Sequence, residues 1–304
     1  MKIGIIGYKG VVGSAVFEGL SPHHKMVGFD IKDSKERQIK SYIELLKTEM
    51  VFICLPTPTM RSGQDMGVIE RALQTLSLKK YEGIVVIKST IVPGVTDGLH
   101  KQFKDLTIVH CPEFLSANSA HKDFKDQKEI VIGGWDHDSI RKVYDVHKPV
   151  GVRKAHVGTP TQIELIKYLH NVFLTVKVGI MNELYDVCFE KGCEFQPLMD
   201  VAADITGWIN KRHIQVPSKG KFGYGGECFP KDIGALYEKF KFLNLDIIGA
   251  CIESNNKRRK DAKNLLRRPL TVLEDKANGS KRTRRSTRQQ GTTQSKVCSS
   301  SVAG

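Results

Sequence analysis

The stretch GYGGECFPKD, residues 223–232, sets Cys228 behind two adjacent glycines and ahead of Phe-Pro-Lys-Asp. The other six cysteines are scattered and no Cys-x-x-Cys pair occurs, so neither a disulfide framework nor a metal site is expected, and Cys228 reads as a free thiol. Gly223, Gly225 and Gly226 permit backbone angles and a close ligand approach that a β-carbon would forbid. Pro230 suits the first position of a helix running PKDIGALYEKF. A cysteine just ahead of a helix N-terminus and beside Lys231 is expected to have its thiolate stabilised, which makes it a nucleophile. Asp232 is placed to turn back toward the thiol or a water near it. An inert cysteine in a glycine turn would leave the double glycine and the lysine without a purpose.

A second group lies upstream. Glu164, Lys167 and Asn171 are spaced three and four residues apart, so a helix puts them on one face. Such a helix is predicted over 161–191, where Ile163, Ile166, Leu169, Val172, Phe173, Val176, Ile180, Met181 and Leu184 recur at helical steps and mark it as largely buried. A lysine and an asparagine inside it need partners, and together they can hold a water or an oxyanion. A solvated polar stripe is the plainer alternative.

Both groups need a frame, and the N-terminal half supplies one. KIGIIG followed by GVVGSAVFEGL reads strand, tight turn, helix. Gly7, Gly10 and Gly13 are spaced G-x-x-G-x-x-G, one residue longer than the usual dinucleotide fingerprint, and Asp30 follows at the end of the next strand, KMVGFD. Glycines there let backbone approach a pyrophosphate, the helix N-terminus supplies N–H donors, and the carboxylate can accept from ribose hydroxyls while repelling a 2′-phosphate. NAD is therefore the expected cofactor, with Lys32 leaving NADP as the alternative. Val11 and Val12 fall inside the turn, and Pro56 and Thr57 in the loop after the strand VFICL. Further strands in GIVVIKST, LTIVHCPEF and EIVIGG alternate with helices, so the fold class is α/β: a Rossmann-like, doubly wound parallel sheet, followed by an all-α central domain. The boundaries are drawn at 1–155 for the first domain, 156–264 for the second and 265–304 for a tail.

With 304 residues and 40% hydrophobic content the chain can bury a sizeable core. Its net charge of +14 is concentrated at one end, because Cys251 to Gly304 holds fourteen Lys and Arg against four Asp and Glu. The body is only mildly basic, so nucleic-acid binding is not expected beyond a weak attraction through the tail, which is too polar to offset the entropy of ordering and is expected to be disordered. The N-terminus lacks the apolar run of a secretory signal, no stretch approaches the roughly 20 apolar residues of a membrane span, and the unpatterned cysteines suit a reducing cytoplasm.

Taken together, GYGGECFPKD, ELIKYLHNVFLTVKVGIMNE, FICLPTPT, IKSTIVPG and CPEFL resemble the UDP-glucose/GDP-mannose dehydrogenase family, from residue 1 to about 262. The resemblance implies NAD-dependent oxidation of a nucleotide sugar's C6 hydroxyl to a carboxylate in two hydride transfers, with UDP-glucose the expected substrate and GDP-mannose or a UDP-N-acetylhexosamine as alternatives. It implies Cys228 as nucleophile, Lys167 and Asn171 on the oxyanion or water, Asp232 supporting the water or thiol, Thr90 near the nicotinamide, and Glu113 as base for hydrolysis. Phe114, Leu115, Tyr224 and Gly225 would line the substrate, and the long helix would form a homodimer.

The chain departs from the family pattern in three places. Ala117 stands where a second glutamate is usual, and Trp208-Ile209-Asn210 where an Arg-Ile-Gly stretch normally supplies an arginine, with Arg212 a possible stand-in. The family usually continues with a third, nucleotide-binding α/β domain, and after about residue 264 no strand-helix alternation remains. Two readings compete with a nucleotide-sugar dehydrogenase: a one-step hydroxyacid dehydrogenase, which would not need Cys228, and a catalytically weak NAD-binding dimer whose basic tail binds an anionic partner.

Overall fold

The computed structural model describes residues 1–60, 63–207 and 209–265, with side chains through residue 260. In chain order the first half runs β1 Lys2–Ile6, α1 Val11–Leu20, β2 Lys25–Phe29, α2 Lys35–Leu45, β3 Met50–Ile53, β4 Thr59–Met60, β5 Gly63–Gln64 and α3 Gly67–Leu78. It continues with β6 Ile84–Ile87, α4 Val95–Gln102, β7 Thr107–His110, α5 Ala120–Asp126, β8 Glu129–Gly133, α6 His137–His147 and β9 Lys154–Gly158. The second half is helical: α7 Pro160–Glu190, α8 Phe195–Thr206, α9 Phe229–Phe240 and α10 Asp246–Leu265. The expected disordered tail lies outside the described residues.

Seven strands form one sheet in the order β2-β1-β3-β6-β7-β8-β9. The first five are parallel, as in β1 against β3 with Ile3 opposite Met50. The sheet is nevertheless mixed, because β8 meets β7 antiparallel at His110 and Gly133, and β9 then pairs parallel to β8. The Rossmann-like parallel sheet expected from the sequence is present, with β8 and β9 reversed at one edge. The strand β9 was not anticipated either: Lys154–Gly158 is polar and largely exposed, and it straddles the position at which the sequence changes character.

Burial on both faces explains the apolar runs. Along β3, Met50 and Phe52 enter a core with Ile3, Ile5, Val16 and Phe124, whereas Val51 and Ile53 enter a second core with Leu73, Val85 and Leu99. The sheet is thus sandwiched, and the carboxyl ends of its strands are left to build a site.

The helix α7 starts sharply, at a capping box in which Thr159 and Gln162 bond each other's backbone, with Pro160 in the first turn. Its burial follows the expectation only in part, with Ile163 and Met181 buried as predicted. The inward residues include Glu164, Lys167, Tyr168, Asn171, Thr175 and Asn182, while Leu169 is 74% and Phe173 69% exposed. Of the remaining apolar residues, Ile166, Leu169, Phe173, Ile180 and Leu184 mark a face that the described residues do not cover. Among the described residues no helix is long and apolar enough to cross a membrane.

Candidate active site

The loop before α9 delivers Cys228, which is the N-cap residue of that helix. Phe229 takes the first helical position and Pro230 the second, one step later than expected, and the Cys228 carbonyl accepts the Asp232 amide at 2.8 Å. Cys228 is exposed, and all six described cysteines are free. Its thiol does not behave as the sequence suggested. Burial of the sulfur's surroundings pushes its pKa above the ordinary thiol value and the Asp232 carboxylate adds to this, with Lys167 and Lys231 opposing. That direction is opposite to the stabilisation expected from the helix N-terminus and Lys231.

Around it, α7 and α9 place one continuous network. Lys167 Nζ donates to Asn171 Oδ1 at 3.2 Å, and Asn171 Nδ2 donates to Asp232 Oδ2 at 2.6 Å. The other oxygen of Asp232 is bridged to Lys231. All three of Lys167, Asn171 and Asp232 are buried. Burial lowers the Lys167 pKa, against the pull of Asp232, Cys228 and Glu113. Asp232 therefore turns toward Asn171 and Lys231. Lys231 in turn reaches the first domain, donating to Thr57 Oγ1 at 3.4 Å, while its carbonyl accepts the Thr59 hydroxyl at 2.8 Å. Thr57 also donates to the Thr90 carbonyl at 2.8 Å. The site is built across both halves of the chain.

Glu164, the third member of the helical triplet, is not part of this network. It is fully buried and accepts from the amides of Gly94 and Thr96 and from the Thr96 hydroxyl, capping α4 of the first domain. Glu113 is buried with Oε1 on Lys88 Nζ at 2.5 Å, and Lys88 also meets Cys111 Sγ at 3.3 Å and His147 Nε2 at 3.2 Å. Sequence reasoning passed over Lys88, although a lysine ending the apolar run GIVVI was the available signal. Phe114 turns its ring to Lys167 at 4.9 Å and to His170 at 5.3 Å, whereas Leu115 packs on the first core.

Two residues expected to line the substrate make contacts within the chain. Tyr224 is only 3% exposed and burial raises its phenol's pKa, with Cys251 alongside, so its side chain serves the core. A β-carbon on Gly225 would lie 1.4 Å from the Arg259 guanidinium, so that glycine makes room for a side chain of this chain. Sequence reasoning did not single out Arg259 or Asn255. Arg212 is exposed, and its carbonyl accepts Lys177 Nζ at 2.7 Å, as Asn210 does through two oxygens. Trp208 lies outside the described residues.

At the carboxyl end of β1, Gly7 has φ +87° and a β-carbon on Gly13 would stand 2.1 Å from the Gly7 carbonyl oxygen. The turn closes only without side chains there. The helix α1 follows Gly10 with no side-chain cap, so its first amides are free for an anion. Val11 is 49% exposed at that N-terminus, and Val12 packs on the core. Asp30 accepts the Lys9 amide at 3.1 Å and the Lys32 amide at 2.9 Å, tying the glycine turn to the end of β2. Pro56 is exposed on the loop after β3, beside Thr57. This cradle fits a dinucleotide pyrophosphate with a ribose beside Asp30.

Comparison with known proteins agrees with that geometry. The NAD binding domain of the UDP-glucose/GDP-mannose dehydrogenase family matches residues 40–151, and the central domain of the same family matches 161–257. A UDP-glucose 6-dehydrogenase of Rickettsia bellii (strain RML369-C) is 32% identical over 226 residues, covering 71% of this chain and 51% of the relative. A GDP-mannose 6-dehydrogenase of Pseudomonas aeruginosa is 28% identical over 243 residues, covering 73% of this chain and 54% of the relative. The solved structure of a UDP-glucose dehydrogenase from Pyrobaculum islandicum aligns at a TM-score of 0.71 and 25% identity, over 84% of this chain and 68% of that one. The chain thus spans little more than half the length of these two curated relatives. Its first domain is an NAD-binding domain, so the cofactor is NAD. With the glycine cradle, the Cys228 loop and both domain matches in place, this chain belongs to the UDP-glucose/GDP-mannose dehydrogenase family.

Proposed function

We propose that this protein oxidises the C6 hydroxyl of a nucleotide sugar to a carboxylate, UDP-glucose to UDP-glucuronate, with two NAD consumed per sugar. The observation that carries the reading is the convergence of Cys228 with Lys167, Asn171 and Asp232 from α7 and α9, in a chain whose first domain binds NAD. NAD supplies the hydride acceptor for each two-electron step. The chain's own residues then do the following work.

In the first stage the alcohol would give its hydride to NAD and its hydroxyl proton to a water, while Lys167, buried in the network, donates to the charge on oxygen. Cys228 traps the aldehyde: sulfur bonds to carbon and the thiol proton passes to oxygen, giving a thiohemiacetal. Passage of the second hydride to a second NAD and of the hydroxyl proton to a water would leave a thioester. Water then adds to its carbonyl, the carbon–sulfur bond breaks, and the sulfur regains a proton. Asp232, held by Asn171 and Lys231, supports the thiol and the water. Glu113 has Oε2 without a side-chain partner among the described residues, which leaves it to accept the water's proton, and Thr90, whose carbonyl accepts the Thr57 hydroxyl, is the residue expected near the nicotinamide.

The exposed apolar face of α7, with Leu169 and Phe173 at its centre, is the expected seat of a second copy, making a homodimer. The free thiols and the two soluble substrates suit the cytoplasm. GDP-mannose is the second substrate to try, because a GDP-mannose 6-dehydrogenase is among the relatives.

The test is NADH formed per UDP-glucose consumed, for the wild type and for Cys228→Ser, with GDP-mannose alongside. Two NADH per sugar, lost or halted at the intermediate in the variant, is the expected result. A ratio of one, or a variant with full double oxidation, overturns the covalent route. Absence of turnover in protein that still binds NAD would overturn the reading as an enzyme.

A further inference from the structure

The Cys228 loop is held by its backbone, from helices that carry none of the reacting groups except α7. Asn182 Oδ1 on α7 accepts the Gly223 amide at 2.7 Å. From α10, Asn255 Oδ1 accepts the Tyr224 amide at 2.8 Å and Arg259 Nε donates to the Tyr224 carbonyl at 2.9 Å. Both polar groups of one peptide residue, four positions before the cysteine, are thus taken by side chains one helical turn apart. The glycines fit the same purpose. A β-carbon on Gly223, which has φ +72°, would lie 2.4 Å from Asn255 Oδ1, and the three atoms nearest a β-carbon on Gly225 all belong to the Arg259 guanidinium. The helix α10 is itself fastened to α7, by Arg258 to Asp186 at 2.8 Å and Ser254 to Glu183 at 2.9 Å.

We infer that Asn255 and Arg259 are positioning residues for the reaction: a clamp on α10 that fixes the Cys228 loop against α7, with Gly225 lacking a side chain so that Arg259 can lie across the backbone. The inference rests on Cys228 as nucleophile for its consequence in turnover, and on loop geometry alone for its consequence in thiol reactivity. A clamped loop keeps Cys228 facing Lys167 from α7, Lys231 and Asp232 from α9, and Glu227 from the loop itself. A released loop moves the sulfur out of those fields. A displacement of about 1 Å is enough to cost roughly 100-fold in rate.

The experiment is a cycle of Gly225→Ala, Arg259→Ala and the double variant in the full chain. The readouts are the pH profile of Cys228 carbamidomethylation, mapped by peptide mass, and kcat and KM with UDP-glucose. NAD titration serves as the control for folding. Each single variant is expected to alkylate about tenfold faster near neutral pH, the shift allowed by one or two lost hydrogen bonds, with its midpoint moved down toward the ordinary thiol value. Turnover should fall roughly 100-fold, mainly in kcat, and the double variant should be no worse than either single one. A Gly225→Ala penalty that persists in the Arg259→Ala background would overturn the clamp and return Gly225 to ligand approach. An unchanged alkylation profile in protein that binds NAD normally would also overturn it. If Arg259→Ala does not bind NAD, Arg259→Lys is read in the same way. If no nucleotide sugar is turned over, the alkylation arm still decides the clamp while the proposed activity fails separately.

Discussion

Glu164→Ala tests how the two halves of the site are joined. The carboxylate sits on α7 one turn before Lys167 and receives three bonds from the start of α4: Gly94 amide at 2.6 Å, Thr96 amide at 2.9 Å and Thr96 hydroxyl at 2.5 Å. Gly94, the residue before α4, has φ +91° and offers no side chain, so a glutamate 70 positions away is the cap. Each bond to an ionised acceptor is worth about 1.5–3 kcal/mol. Against this stands the cost of burying the charge, visible in a pKa raised chiefly by desolvation. Truncation leaves buried donors unsatisfied, and the net loss should be about 3–5 kcal/mol, a fall in thermal midpoint on the order of 10 °C. The sign with pH follows from the raised folded pKa. The group's contribution is full below its unfolded value, roughly 4.3, and is partly lost as pH rises through the folded value, so the gap between wild type and variant narrows on going from acid to neutral pH. The assay is thermal unfolding at a series of pH values. A midpoint lowered by less than about 2 °C, or a gap that widens toward neutral pH, would refute the reasoning.

Other perturbations test the network directly. Asn171→Asp sets a second carboxylate where the present 2.6 Å bond to Asp232 is, so kcat should fall by roughly 100-fold or more at neutral pH and recover in part under acid conditions, as the pair comes to share a proton; a pH–rate profile checks this. Lys88→Met leaves Glu113 buried without its cation and should cost about 3–5 kcal/mol in denaturant unfolding, most of it restored by adding Glu113→Gln. Asp232→Asn removes a carboxylate that raises the Cys228 pKa, so the midpoint for alkylating Cys228 should move down while turnover also drops. A midpoint that moves up would contradict the assigned field.

How far the sequence could lead depended on distance along the chain. Lys167 and Asn171 were legible because a helix forces residues four apart onto one face, and Cys228 because its loop chemistry is local. The partners of Asp232 were not, since Asn171 lies 61 residues away and the Thr57 contact of Lys231 spans 174. The mixed sheet was hidden for a similar reason: periodicity reports which faces are buried and says nothing of strand direction. Strand β9, Lys154–Gly158, was missed because most of it is exposed and no apolar run marks it. On α7 the apolar period was read correctly, but not what it faces. Leu169 and Phe173 point away from the chain, and Glu164, Lys167 and Asn171 point into it, because the buried work of this helix is polar. The neighbour of Gly225 was not legible because a missing side chain shows only that something comes close; here Arg259 does.

The electrostatics of the site also reverse the usual expectation for a catalytic cysteine. In water a thiol ionises about two units below an ammonium, so a free Cys–Lys pair loses the thiol proton first as pH rises. Burial opposes both charges here, raising the Cys228 pKa and lowering that of Lys167, so the gap between them narrows. The Asp232 carboxylate acts on both, raising the thiol further while holding the ammonium. On the proposed route this is an advantage at the trapping step, because a protonated sulfur brings its own proton to the new hydroxyl oxygen. It also matters at release, where a sulfur with a high proton affinity is drawn to take a proton as the carbon–sulfur bond breaks. A strongly stabilised thiolate would leave more readily, and would hold the aldehyde less firmly between the two oxidations. A raised thiol pKa beside a lowered lysine pKa therefore fits a cysteine whose task is to retain an intermediate, and the clamp on its loop serves the same end by keeping that sulfur where both neighbours act on it.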